Sequence, residues 1–214
     1  MKFYEKVLNQ LEIDVSNDKQ LAGDLIIDVT LWKEFKLNNR EQIMVALQEL
    51  KKEYPQISKE YVYFLKNYYC PVLGDFDIYV PYADKECEDC TIITNWRETR
   101  NKFPSLLPIA NFDHGDYIYL NEKGEVIQFV GIGKETPPED FFTEVPDEDY
   151  EVGFDIAYLT YPDSDGLYRM YEVLGRSFDE FMNECVFGDR YPEFTDKEDN
   201  FYWHVKKIRE SLGL

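Results

Sequence analysis

The sequence predicts an α+β fold, a mostly antiparallel sheet flanked by N-terminal and C-terminal helices, and three observations predict it. Apolar residues recur at helical spacing near both ends of the chain, short β-rich runs between turn residues dominate the middle, and no regular strand–helix–strand alternation links them. With 214 residues, 44% hydrophobic content, 17 Tyr and 15 Phe, the chain can bury one sizeable core, so a single domain over 1–214 is expected.

Phe3, Val7, Leu8 and Leu11 predict a first helix, and Ile43, Leu47 and Leu50 predict another. The segment between them, around Leu25 to Val29, is mixed and reads equally as a strand. Tyr61, Phe64, Leu65 and Tyr68 occupy i, i+3, i+4 and i+7, the stripe that buries one helix face. Pro71 and Gly74 end that helix or lie just past it. Phe76 to Val80 alternates Asp with apolar residues and predicts a strand closed by Pro81. Thr91 to Phe103 predicts a helix stopped by Pro104.

Leu106 to Val130 carries the sharpest local signals. Leu106, Leu107 and Ile109 form an apolar run, and Asp113-His114-Gly115-Asp116 then turns the chain. Tyr117 to Leu120 and Val126 to Val130 pair as a hairpin about Asn121-Glu122-Lys123-Gly124, where the glycine supplies a positive φ. Leu167 to Leu174 predicts another strand. Ser177 to Phe181 (SFDEF) is a capping box, the serine hydroxyl taking the Glu180 amide while that carboxylate reaches back to the serine amide. Phe178, Phe181, Met182 and Cys185 then share a face. A second box, Thr195 with Glu198, opens a last helix over 196–212, with Phe201, Val205, Ile208 and Leu212 on one stripe.

Three of these stretches in their order, ISKEYVYFLKNYY from Ile57, NFDHGDYIYLNEKGEVI from Asn111 and SFDEFM from Ser177, resemble the SUKH superfamily of Smi/Knr-like domains. That family opens its core with a Pro-x-x-Tyr-x-x-Phe-Leu type of helix. It places Gly-Asp, here Gly115 and Asp116, before a strand-turn-strand unit, and it ends with a Ser-Phe-x-x-Phe-Leu helix, here Ser177, Phe178 and Phe181. The likeness departs at KEYPQISKEY, which has no Leu-Pro, and at Tyr69-Cys70, which stands in place of Asn-Gly. The resemblance implies a core over about 57–187, leaving residues 1–56 as a helical extension that either joins the core or stands apart from it. It implies the same α+β fold.

Charge narrows the partners. Against 23 basic residues stand 43 acidic ones, and a net charge of −20 repels phosphate backbones and anionic bilayers, so neither nucleic acid nor membrane is expected as a partner. No signal-peptide pattern and no apolar stretch of about 18 residues is present, and the expected compartment is the cytoplasm. Four cysteines are too few for a disulfide scaffold. Glu135 to Asp165 holds eleven Asp or Glu and no Lys or Arg, more than half of the net charge. Phe141, Phe142, Tyr150, Phe154, Tyr158 and Tyr161 interleave with these carboxylates, whereas disordered acidic tails are poor in aromatics. Two readings fit: an ordered acidic surface with aromatic anchors, or a solvated loop over the core. On the first, Asp140, Phe141, Phe142, Glu144, Asp147, Glu148, Asp149, Tyr150 and Glu151 are the partner-binding residues.

Catalytic signals are thin. Cys87-Glu-Asp-Cys90 has redox or zinc spacing, but its carboxylates oppose the thiolate either role needs, and Cys70, Cys185, His114 and His204 offer no second close pair. No metal and no cofactor is therefore expected. His114 and Asp116 flank a turn without a nucleophile elbow nearby, so no triad forms. Gly131-Ile-Gly-Lys-Glu-Thr resembles the end of a phosphate loop, yet position 128 is Gln and Glu135 stands where magnesium needs Ser or Thr. A strand end fits it better. The resemblance thus implies a non-catalytic immunity protein that neutralises a cognate toxin by binding it, and the acidic stretch is consistent with a basic nuclease toxin as the target. The eukaryotic side of the superfamily implies the alternative, an intracellular scaffold or regulatory module.

Overall fold

In the computed structural model, residues 2–25, 37–68, 72–82, 91–112, 116–134, 161–162, 168–194 and 199–214 are described. Helix α1 (Phe3–Asn17) forms because Tyr4, Val7, Leu8, Leu11 and Val15 make one continuous buried stripe. Its orphan N-terminal amides are met from elsewhere in the chain, the Tyr4 amide donating to Asn183 Oδ1 at 3.1 Å. The Asp18 carboxylate accepts the Gln20 and Leu21 amides and starts α2 (Lys19–Asp24). Helix α3 (Arg40–Glu53) buries Ile43, Leu47 and Leu50 and ends at Tyr54, whose hydroxyl donates to the Ser105 carbonyl at 2.8 Å. Ser58 caps α4 (Lys59–Asn67), which buries Tyr61, Val62, Phe64 and Leu65.

Strands β1 (Val72–Leu73) and β2 (Phe76–Ile78) turn at Gly74, whose φ of 62° suits glycine. Thr91 caps α5 (Ile92–Thr99), and the predicted run to Phe103 leaves the helix after Thr99, because the Lys102 and Phe103 amides both return to the Thr99 carbonyl. Then come β3 (Leu107–Phe112), β4 (Asp116–Leu120), β5 (Val126–Lys134), β6 (Tyr161–Pro162) and β7 (Tyr168–Gly175). The β4–β5 hairpin turns as expected: Gly124 has φ 84°, and buried Asn121 accepts the Lys123 and Glu125 amides, each at 2.9 Å. The glycine-lysine run at Gly131 to Lys134 is the end of β5.

The SFDEF box is present with one change. Ser177 Oγ accepts the Glu180 amide at 3.1 Å, but the Glu180 carboxylate takes the Arg176 amide at 2.8 Å, one residue before the serine amide expected. Helix α6 (Phe178–Phe181) runs into a π-helical turn over Met182–Val186, and a 3₁₀ turn follows at Tyr191–Glu193. Helix α7 (Asn200–Leu212) is capped by Asp199, which accepts the Phe201 and Tyr202 amides. The expected Thr195–Glu198 box lies outside the described residues. Of its stripe, Phe201, Val205 and Ile208 are buried while Leu212 is exposed.

The strands form one antiparallel sheet in the order β1-β2-β3-β4-β5-β7-β6, with a bulge between Pro108 and Ala110 on β3. The fold is therefore α+β with helices flanking the sheet. Its main core joins Tyr4, Val7 and Leu11 of α1 to Phe64 of α4, Ile118 of β4 and Phe178 of α6. Residues expected as an N-terminal extension thus share that core.

Candidate functional site

Alternation along the central strands sorts side chains to two faces. Ile118, Leu120, Val126 and Leu174 face the helices. Tyr119, Ile127, Phe129, Tyr171 and Val173 belong to a second apolar cluster, joined by Phe103 and Leu106 from the α5–β3 connection. Tyr117 packs against both. Rings dominate this outer face: Tyr119 lies 5.4 Å from Phe129, Tyr117 lies 5.9 Å from Tyr119, and Phe103 lies 4.8 Å from Phe129. Sequence reading did not single it out. The signal available was that β4 and β5 carry large apolar groups on both faces, where a sheet with one solvated face alternates with polar residues.

The acidic segment leaves and rejoins this sheet at one place. Lys134, the end of β5, pairs with Tyr168 of β7, and Pro162 of β6 pairs with the same tyrosine from the other side. One strand separates the two exits, which puts them about 10 Å apart. The expected partner-binding residues Asp140, Phe141, Phe142, Glu144, Asp147, Glu148, Asp149, Tyr150 and Glu151 lie outside the described residues.

The residues that carried the family resemblance divide. Gly115 lies outside the described residues, while Asp116 opens β4 opposite Phe112. Ser177 caps a helix, and Phe178 and Phe181 are buried, Phe178 sitting 4.7 Å from Tyr61 and 5.0 Å from Phe64 between ring centres. Their roles in this chain are packing and capping.

Polar clusters under the sheet are likewise structural. The Arg190 guanidinium spans the Glu172 carboxylate at 2.9 Å, the Leu174 carbonyl at 3.1 Å and the Glu193 carboxylate at 3.0 Å. Burial pushes the Glu172 carboxyl up, and Arg190 pulls against it. The Cys185 thiol donates to the Leu174 carbonyl at 3.3 Å, and burial pushes it up to about 12, so it is held as the neutral thiol at ordinary pH. His204 Nε2 stands 3.0 Å from Asp14 Oδ2 and joins α7 to α1. Among the described residues no group of three or more His, Cys, Asp or Glu can hold a metal, and no helix is long and apolar enough to cross a membrane. Cys87, Cys90 and His114 lie outside them.

No family model, no curated protein and no solved structure matches this chain.

Proposed function

We propose that this is a non-catalytic binding protein of the immunity class, which neutralises a basic toxin domain, of nuclease type, by covering its cationic cleft. The observation that carries the reading is where the most acidic stretch of the chain meets the sheet: Lys134, just before it, and Pro162, within it, both pair with Tyr168, on the strand that brings Tyr171 to the aromatic sheet face. Carboxylates raise the encounter rate with a basic surface, and fixed rings supply the buried contacts that hold it. Neutralisation of this kind needs no reacting group. It needs a surface of opposite charge and matching shape.

Recovery of the tagged protein from its native host at low and high salt tests the proposal. A single basic toxin domain in near-stoichiometric amount, recruited more slowly as salt rises, is the expected result. Several substoichiometric host proteins would instead favour the scaffold reading. Replacing Asp147, Glu148 and Asp149 together by Ala should cut the association rate about tenfold at low salt and leave the dissociation rate nearly unchanged. An unchanged association rate would remove this segment from the interface.

A further inference from the structure

The outward face of α3 is apolar in its middle and charged toward its two ends. Val45 is 63% exposed, Met44 37% and Leu37, just ahead of the helix, 77%, whereas Ile43, Leu47 and Leu50 bury the opposite face. At about 3.6 residues per turn Leu37, Glu41, Met44, Val45, Gln48 and Lys52 follow one another down the exposed side. Single apolar residues on a surface need no explanation. These adjoin one another, on a helix whose other face is already committed to the core, and such a patch marks a contact surface.

Charge names the occupant. The chain carries a net −20, yet α3 carries none, because Arg40, Lys51 and Lys52 offset Glu41, Glu49 and Glu53. Arg97 holds Glu49 and Glu53 across to α5, and Arg100 reaches Glu53 as well. Glu41 and Lys52, both exposed, instead stand on the outward stripe itself, about three turns apart. A stripe with a carboxylate at one end, an ammonium at the other and apolar groups between them is complementary to itself when run antiparallel. A two-fold axis passing between Ala46 and Leu47 sets Glu41 opposite Lys52 of a second copy and Val45 opposite Gln48, and each pairing occurs twice. A basic partner would meet Glu41 but repel Lys52, and an acidic partner would do the reverse. We infer that the outward face of α3 is a self-association surface, which takes the same helix of a second copy in antiparallel register. The inference does not rest on the proposed function. The paired stretch is only about 17 Å long, so association is weak, half complete on the order of 100 µM.

Sedimentation equilibrium of the full chain from about 10 to 1000 µM tests this, at about 150 mM salt to screen the general repulsion between acidic copies. The mass is expected to climb from that of the monomer toward twice that value. E41K and K52E should each weaken association about tenfold, because each sets two like-charged pairs face to face, and E41K/K52E should return it to within about twofold of the wild type. Net charge alone predicts otherwise: E41K makes the chain less acidic and would tighten association, while the double reversal leaves net charge unchanged. Urea unfolding checks that each variant folds. A chain that stays monomeric throughout, which is also what a different occupant of this face predicts, would overturn the inference. So would single reversals without effect, or a double reversal that fails to recover. Loss of the dimer leaves the toxin reading standing, and absence of a toxin leaves the dimer.

Discussion

A single glycine shows how one position is fixed from far along the chain. Gly74 has φ 62°, and a Cβ there would meet Tyr191 Oη and come within 2.7 Å of the Phe201 ring. Tyr191 Oη in turn accepts the Asp75 amide at 3.1 Å and donates to Asp199 at 3.1 Å, so the turn, the 3₁₀ segment and α7 close on one point. Gly74→Ala should cost about 2–4 kcal/mol, combining an unfavourable backbone conformation with overpacking, as measured by urea unfolding. In the sequence Gly74 marks only the end of a helix. Its real constraint comes from residues more than a hundred positions away, which no local pattern reveals. Gly124 was legible because its constraint is the hairpin it sits in. Cys185 supplies a second test at this scale. With its thiol pushed up to about 12, its alkylation by iodoacetamide at pH 8 should be slower in the folded protein than in urea by on the order of a thousandfold. Comparable labelling of the Cys185 peptide in both states, read by mass mapping, would contradict the buried placement.

Helix starts were read from the sequence with unequal success, and the caps explain why. The Ser177 box combines a serine with a glutamate three residues on, and the serine half formed as read. Its carboxylate half moved by one residue, taking the Arg176 amide at 2.8 Å in place of the serine's own. At α7 the cap is Asp199, a type equally suited to the role but without the glutamate partner that makes a box recognisable. Asp199 also holds Tyr191 Oη, so the two caps differ in what they support. Ser177→Ala should lower stability by about 1 kcal/mol and Asp199→Ala by about 2 kcal/mol, each seen as a lower urea midpoint with an unchanged slope. Equal losses would mean that the tyrosine bond adds nothing.

At the level of the molecule, the sequence leaves open whether the helical extension of residues 1–56 joins the core, and Tyr4, Val7, Leu8, Leu11 and Val15 belong to it. An amphipathic stripe announces that a helix buries a face, not what it buries it against, so this integration was not legible. The antiparallel sheet was, since its hairpins are local. The outer aromatic face was missed because side chains apolar on both sides of a strand hide the alternation that separates them. Removing residues 1–17 should abolish cooperative unfolding: five buried side chains at about 1.5–3 kcal/mol each match or exceed the net stability of a typical domain. A truncated chain that still melts in one sharp transition would make α1 dispensable. The described ladder also stops abruptly at both margins, with two residues, Val72–Leu73, on one side and Tyr161–Pro162 on the other. So brief a rim, one of them ending in a residue with no N–H to offer, gives a stray strand little to zip onto. Among the described residues, each margin thus offers an incoming backbone a ladder of two residues at most.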